Sequence, residues 1–287
     1  MTLITIVFAV ILEFFLGSLS DLRRFGVVQR LVDGFARKAG SGVLAGPAGV
    51  VLLLVVCLLP VYLILGWLMG LSVVVAFLLS LAVLVYCLGP RPLTGVADEF
   101  ELARQAGDEE KALWYAEQLL GRSLGEQERA DLEATVSEAV LVAANDRWFG
   151  VLFWFAVLGP FGALLFRLSS QFRAWAMTAE KADETGSLAT AIHRVHDVIA
   201  WLPARLLMLA FALVGNFAPA IAACCQGGET RVRWAEAGEA LLARAGLAAL
   251  QGVAGGETAV AAQRLVTRSL WLWLAVIALL NVMWILL

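Results

Sequence analysis

The chain contains 287 residues, and its 21 Lys and Arg against 24 Asp and Glu give a formal net charge of −3 at pH 7. Apolar residues make up 61% and charged residues 16%, and the mean hydropathy is +0.84. Since a soluble domain has about half apolar and about a quarter charged residues, this composition excludes a soluble globular protein, and the acidic balance disfavours nucleic acid as a partner. The sequence predicts an all-α, polytopic helical membrane protein with soluble helical insertions.

The first apolar segment, Leu3–Ser20, is interrupted by Glu13. It has no positively charged region before it and no small-residue cleavage site after it, so we expect it to be retained rather than removed as a secretion signal. Two placements stay open. The segment either spans the bilayer, where an ionisable side chain is costly and functional by default, or lies along the membrane surface with Glu13 facing water.

A basic arm and a long uncharged stretch come next. Asp21–Lys38 contains four Arg and one Lys, which places it in the cytoplasm by the bias of cytoplasmic loops toward positive charge. No charged residue occurs from Ala39 to Pro90, which is enough chain for two helices of about 20 residues each. We predict membrane spans at Val43–Leu65 and Leu71–Leu88.

The polar insertion Thr94–Asn145 predicts two soluble helices. Ser123 stands three residues before Glu126, the spacing of a capping box at a helix start. The insertion is acidic, and its charges predict either a solvated face or a surface that docks to a basic partner.

A further span is expected at Trp148–Phe166, where Gly159, Pro160 and Gly162 favour a broken or re-entrant helix. Leu206–Gly228 is uncharged, and both spanning and non-spanning placements stay open. Glu229–Val266 is rich in Ala and predicts a polar helical segment, and Ser269–Leu287 predicts the last span.

These predictions divide the chain into six segments. In order, they are an N-terminal membrane-associated helix with the basic arm (1–42), a transmembrane hairpin (43–88), a polar helical insertion (89–147), a membrane-embedded broken-helix region (148–228), a polar helical segment (229–268) and a C-terminal transmembrane helix (269–287).

The stretch "HDVIAWLPARLLMLAFALVGNF" combines charged residues with an apolar helix. Because Pro is tolerated in the first turn of a helix, we expect a break near Trp201 and a new helix that starts at Pro203. Arg205 would then lie one turn inside, where its guanidinium and the helix N-terminus favour an anion. Glu13 and Asp197 are possible internal partners, and the alternative is that the arginine extends to lipid headgroups.

His193, His196 and Asp197 lie within about one helical turn of each other. Their spacing is not that of a zinc protease motif, and a third ligand would have to come from elsewhere, so no metal site is predicted. We expect these residues to face water or headgroups, where a histidine pair responds to pH.

Three blocks of the sequence resemble the AmpE family, whose members are inner-membrane proteins associated with β-lactamase induction. The blocks are "MTLITIVFAVILEFF", "NDRWFGVLFWFAVLGPFGALLFRL" and "HDVIAWLPARLLMLAFALVGNF". AmpE proteins are in turn similar to the CobD/CbiB amide synthases of cobalamin biosynthesis. The shared pattern implies acids at Glu13, Glu138, Asp146 and Asp197, together with Trp201, Pro203 and Arg205.

The sequence departs from the amide-synthase pattern at three places in the chain. Ala200 replaces an Asn, and Val142 and Ala143 stand where a Glu-Asn pair is expected. The segment "GSLSDLRRFG" also lacks the G-D-P and H-P-V residues of the synthases. These losses argue against amide-bond formation and leave the AmpE resemblance intact.

The resemblance therefore implies an inner-membrane, multi-pass bacterial protein that acts in β-lactamase induction and muropeptide recycling with a cytoplasmic muropeptide amidase. It would bind an anionic, cell-wall-derived or lipid-linked ligand in a half-buried charged cavity. The predicted ligand-binding residues are Glu13, Glu138, Asp146, His193, His196, Asp197, Trp201, Arg205 and Asn216. No catalytic residue is assigned, and the cofactor stays open. An ATP-binding role is suggested for AmpE proteins, but no G-x-x-x-x-G-K-[ST] motif occurs here to support it. The alternative is a membrane-embedded amide synthase or transferase related to the CobD/CbiB enzymes.

Overall fold

The fold is helical, as predicted. A computed structural model of the chain describes residues 2–16, 26–39, 43–88, 93–120, 123–181, 186–225, 234–251 and 258–286. The described residues form helices and the turns between them, and no strand occurs among them. Helices suit an apolar environment because each satisfies its backbone hydrogen bonds within its own segment.

The helices follow one another in chain order. The first eight are α1 (Thr2–Leu16), α2 (Gly26–Ala39), α3 (Pro47–Met69), α4 (Val73–Cys87), α5 (Leu93–Gln105), α6 (Glu109–Leu120), α7 (Glu126–Ala130) and α8 (Leu132–Ala144). A π-helical turn, Asn145–Phe149, leads to α9 (Gly150–Leu158), α10 (Pro160–Lys181), α11 (Ser187–Val214), α12 (Phe217–Cys225), α13 (Trp234–Ala249) and α14 (Thr258–Leu286).

Four helical segments among the described residues are long and apolar enough to cross a bilayer, whose hydrocarbon core requires about 20 residues. They are Pro47–Met69, Leu132–Leu158, Ser187–Val214 and Ala259–Leu280. Leu3–Leu12 and α4 are shorter apolar helices. The chain is thus a multi-pass helical membrane protein.

The expected span at Trp148–Phe166 is wrong, although its predicted break is present. Gly159 adopts a φ of 66°, a left-handed conformation that suits Gly, and it ends α9. Pro160 then begins α10. The apolar run is consequently shared between the segment Leu132–Leu158 and α10, and Asp146 and Arg147 lie within a helical segment rather than before one.

The boundaries of the later elements also differ from the prediction. The last span begins earlier than Ser269, because α14 starts at Thr258. Leu206–Gly228 is divided between the end of α11 and α12. The polar helix expected within Glu229–Val266 is present as α13.

The predicted polar insertion contains four helices, α5 to α8, instead of two, and the last of them, α8, is part of the candidate span Leu132–Leu158. The predicted capping box at Ser123 and Glu126 is wrong, because α7 starts two residues later than that pattern requires. Gly125 is the residue before the helix, and its N–H donates to the Glu128 carboxylate at 3.0 Å. Asp108 precedes α6 and accepts a hydrogen bond from the Lys111 N–H at 3.1 Å.

The chain forms two compact units, Met1–Pro90 with Gly150–Leu202, and Arg91–Phe149 with Pro203–Leu287. In the first unit, α10 packs against α2, α3, α4 and α9. Gly150 permits the close approach of α9 to α10, because a Cβ at this position would collide with the Phe166 ring. In the second unit, α8 packs against α13 and α14, and the Phe149 ring meets the Trp273 ring edge-on at 5.5 Å.

The expected helix break near Trp201 is wrong, because α11 continues through Pro203. A proline inside a helix has no N–H for the carbonyl four residues earlier, which here belongs to Ile199. The indole Nε1–H of Trp154 donates to this carbonyl oxygen at 3.1 Å. A side chain of α9 therefore replaces the missing backbone donor, which explains why the helix tolerates the proline.

We predict that the cost of Trp154→Phe depends on Pro203. In the natural chain the substitution leaves the Ile199 carbonyl without its indole donor, which costs about 1–3 kcal/mol of unfolding free energy. In a Pro203→Ala background the new N–H can bond the carbonyl, so the cost should fall by about 1 kcal/mol. Unfolding titrations of the four proteins give the coupling energy, and equal costs in both backgrounds would contradict the explanation.

Candidate functional site

The first unit contains a buried histidine in contact with a buried serine. His196 on α11 is 1% exposed and Ser169 on α10 is 2% exposed. The Ser169 Oγ lies 3.2 Å from the His196 Nδ1, and the imidazole also packs against the Phe166 ring at a centroid distance of 5.7 Å. The expectation that His196 faces water or headgroups is wrong, because these two α10 side chains cover it.

The hydrogen bonds of Ser169 determine the tautomer of the neutral imidazole. A hydroxyl has one proton to donate, and the Ser169 hydroxyl donates it to the Phe166 carbonyl oxygen at 2.7 Å. We therefore assign the contact with His196 the other direction, with Nδ1–H as the donor and Oγ as the acceptor. In the assigned tautomer, Nε2 is the ring nitrogen that carries no proton.

The predicted residues of α11 share one side of the helix. His193 lies three residues before His196 and four before Asp197, and Asp197 lies four before Trp201. Each of these side chains is buried or half-buried. Val198, between them in sequence, is 74% exposed and lies on the other side. The structure thus brings four of the predicted residues together along one face of the first unit.

Arg167 adds a cation to the same unit. It lies two residues before Ser169 on α10 and is 6% exposed. A guanidinium presents five fixed donors that match a carboxylate or phosphate. The unit therefore combines a buried proton acceptor with a buried cation and the carboxyl group of Asp197.

In the second unit, Asp146 lies in the π-helical turn between α8 and α9 and is half-buried. Turns of this kind occur often at functional sites, because the extra residue changes the direction in which side chains project. The neighbouring Asn145 is 4% exposed, and its Oδ1 accepts no hydrogen bond from the described residues. Glu138, two turns earlier on α8, is exposed.

Arg205 is half-buried in the interior of α11. Since the helix does not start at Pro203, the predicted contribution of a helix N-terminus to anion binding is absent there. Its guanidinium therefore stays a predicted anion-binding group on the chemistry of the side chain alone. A partly buried position suits such a role because water screens charge interactions less there than at the surface.

Asn216 has a structural role. Its backbone N–H donates to the Ala249 carbonyl at 2.9 Å, and its side-chain amide donates to the Gln251 carbonyl at 3.4 Å. It therefore fastens the turn between α11 and α12 to the end of α13. These bonds account for Asn216 without a ligand.

Glu13 lies in α1, and its side chain is outside the described residues. Within the described part of the chain, no group of three or more His, Cys, Asp or Glu side chains is arranged to hold a metal ion. No pattern in the sequence singles out Ser169, Arg167 or Asn145 as functional residues. A serine in an apolar run is unremarkable in sequence, and the arginine and asparagine stand at the ends of apolar runs, where they resemble boundary residues.

The tautomer of His196 gives a prediction that spectroscopy can check. The chain has two histidines, so the spectrum of ¹⁵N-histidine-labelled protein contains two ring systems, and His193→Gln identifies the one that belongs to His196. We expect neutral His196 in the Nδ1–H form. Ser169→Ala should convert it to a mixture of tautomers and lower stability by about 1 kcal/mol, whereas the neighbouring Ser170→Ala should leave the His196 signals unchanged. An Nε2–H form in the natural chain would contradict the assignment.

Comparison with known proteins identifies relatives with a common description. A "Cobalamin biosynthesis protein CobD" from Chromobacterium violaceum is 30% identical over 202 residues, which are 68% of this chain and 62% of the relative. Proteins of the same name from Stutzerimonas stutzeri and Dehalococcoides mccartyi are 29% identical over 153 residues and 25% identical over 226 residues. The matches cover 53% of this chain and 50% of the first of these two, and 77% of this chain and 70% of the second.

The chain thus spans less than two thirds of the Chromobacterium and Stutzerimonas relatives that it matches. No solved structure gives a significant match. The family model described as "CobD/Cbib protein" matches residues 6–255, which include the helices that carry both the buried histidine and the π-helical turn. The chain therefore belongs to the CobD/CbiB family.

Proposed function

We propose that the chain is a membrane-embedded enzyme of cobalamin biosynthesis that forms an amide bond or transfers an acyl group. The observation that carries this proposal is the family match over residues 6–255 together with relatives named as cobalamin biosynthesis proteins. The buried Ser169–His196 pair supports it. Burying polar side chains in an apolar interior costs free energy of desolvation, and polar groups at such positions are commonly functional.

Amide formation defines what the site must do. A carboxylate is a poor electrophile, so its oxygen must first accept a phosphoryl or adenylyl group from a nucleotide. The nitrogen of an amine then attacks the carbonyl carbon, the activating group leaves with the carboxylate oxygen, and the nitrogen loses a proton to a base. The His196 Nε2 is suited to accept that proton, and Arg167 is suited to bind the carboxylate or the phosphate. Asp146 and Arg205 remain proposed ligand-binding residues of the second unit.

A second function is favoured by the three departures from the synthase pattern. Val142, Ala143 and Ala200 are half-buried and apolar where the pattern has polar groups. A chain that has lost those groups could still bind an anionic ligand without converting it. It would then act as an AmpE-like regulator in the bacterial inner membrane, in muropeptide recycling and β-lactamase induction, with a cytoplasmic muropeptide amidase as its partner.

One deletion strain separates the two functions when it is scored for cobalamin content and for β-lactamase inducibility. We expect the deletion to lower cobalamin and leave inducibility unchanged. The natural chain should restore the cobalamin content. In a rate assay, the His196→Gln variant should synthesise the product about 10²-fold to 10⁴-fold more slowly than the natural chain, since a positioned base contributes that factor. Glu110→Gln, at an exposed residue of α6, is the matched control and should restore it fully.

The opposite result for the deletion strain would favour the regulatory function over the enzymatic one. If the deletion abolishes inducibility and cobalamin is unchanged, the AmpE-like function is correct. If neither quantity changes in a strain that expresses the protein, both functions are wrong.

A further inference from the structure

A large apolar groove lies in the first unit, apart from the buried serine and histidine. Its volume is about 870 Å³, which is within the range of about 300–1,000 Å³ that is usual for ligand pockets. The groove is formed by α3, α10 and α11. Its lining includes Pro47, Val51, Val55, Tyr62, Phe161 and Val198.

The dimensions of the groove suit a lipid tail. Its α3 side extends from Pro47 to Tyr62, and a rise of about 1.5 Å per residue makes this roughly 22 Å. One leaflet of a bilayer contributes about 15 Å of hydrocarbon, half of the roughly 30 Å core. Since α3 is long and apolar enough to span a membrane, an acyl chain can extend along its side of the groove.

Charge is present in the groove near one end. Arg194 is the charged residue among the described side chains that line it, and it is exposed. Just before it in the chain, Ala189, Ala191 and Ile192 pack in a buried cluster with Val50 and Leu54 of α3. Arg194 therefore lies toward the Pro47 end, where α3 begins. The opposite end is marked by the ring contact of Tyr62 with Phe161 at 5.2 Å.

The amphipathic helix α2 adds further cations at the Pro47 end. Val32 of α2 is buried in the same cluster as Val50, and Asp33 accepts a 2.6 Å hydrogen bond from the Trp175 indole of α10. The opposite side of α2 exposes basic residues, namely Arg30, Arg37 and Lys38. A basic amphipathic helix of this kind lies at the level of lipid headgroups and is attracted to anionic ones.

We propose that this groove binds one anionic glycerophospholipid, with an acyl chain along α3, α10 and α11 and its phosphate at Arg194. The apolar lining requires a long hydrocarbon chain, which a free phosphate lacks. Arg194 suits the phosphate, and the positive field of the α2 cations at the same end favours a headgroup of net negative charge over a zwitterionic one. The inference is independent of the proposed enzymatic function.

Titration of the delipidated protein in nonionic detergent tests the proposal, with bound lipid counted by native mass spectrometry. Dimyristoyl phosphatidylglycerol should occupy one site with higher affinity than dimyristoyl phosphatidylcholine. Arg194→Gln should weaken phosphatidylglycerol binding about fivefold, the contribution of one cation near anionic headgroups. Dihexanoyl phosphatidylglycerol, with the same headgroup and short tails, should bind more than tenfold more weakly, since each buried CH₂ contributes to binding.

Matched variants separate the groove from the rest of the surface. Val198→Trp places a bulky ring in the groove from an exposed position and should remove the bound lipid. Leu213→Trp, at an exposed position of the same helix outside the groove, should not. Arg244→Gln, at an exposed cation of α13, is the control for Arg194→Gln. Equal affinity for the two headgroups, equal affinity for short and long tails, or unchanged binding by folded Val198→Trp would each overturn the proposal.

Discussion

The carbonyl oxygen of Ile199 and the imidazole of His196 lie one helical turn apart on α11, and both face the same physical constraint. In surroundings without water, each polar group needs a hydrogen-bond partner supplied by the protein. The Trp154 indole supplies the partner for the Ile199 carbonyl, and the Ser169 hydroxyl supplies one for the His196 Nδ1. These partners belong to α9 and α10, which fold back on each other at Gly159. The turn at Gly159 therefore underlies both the tolerance of Pro203 and the position of the histidine.

This arrangement links packing to chemistry. The hydrogen bond from Trp154 to the Ile199 carbonyl restrains α11 one turn after the buried histidine. The hydrogen bond between Ser169 and His196 restrains the orientation of the imidazole ring. Because two adjacent turns of α11 are restrained by neighbouring side chains, His196 can present Nε2 in a constant direction without a loop to hold it. Sites of this type depend on the supporting residues as well as on the reacting group.

Much of the fold was predictable from the sequence, because long uncharged runs specify apolar helices and Gly-Pro pairs specify breaks. The apolar helices α3 and α4 and the break at Gly159 follow directly from these patterns, although α4 is shorter than the predicted span Leu71–Leu88 and is not one of the four candidate spans among the described residues. The break at Pro203 was predicted wrongly because a proline interrupts a helix only when the freed carbonyl finds no other donor. The donor here comes from Trp154, 45 residues away in sequence. The Ser169–His196 pair was missed for the same reason, since it joins two helices whose contact no local pattern encodes.

Family membership and the buried proton acceptor together support an enzyme of cobalamin biosynthesis, and nucleotide cleavage by the purified protein tests this most directly. With ATP, Mg²⁺, a corrinoid carboxylic acid and a primary amine, the folded protein should release ADP or pyrophosphate only when acid and amine are both present, and His196→Gln should lose this activity. Absence of cleavage across a broad panel of acids and amines, with folding demonstrated in the same sample, would contradict the enzymatic function.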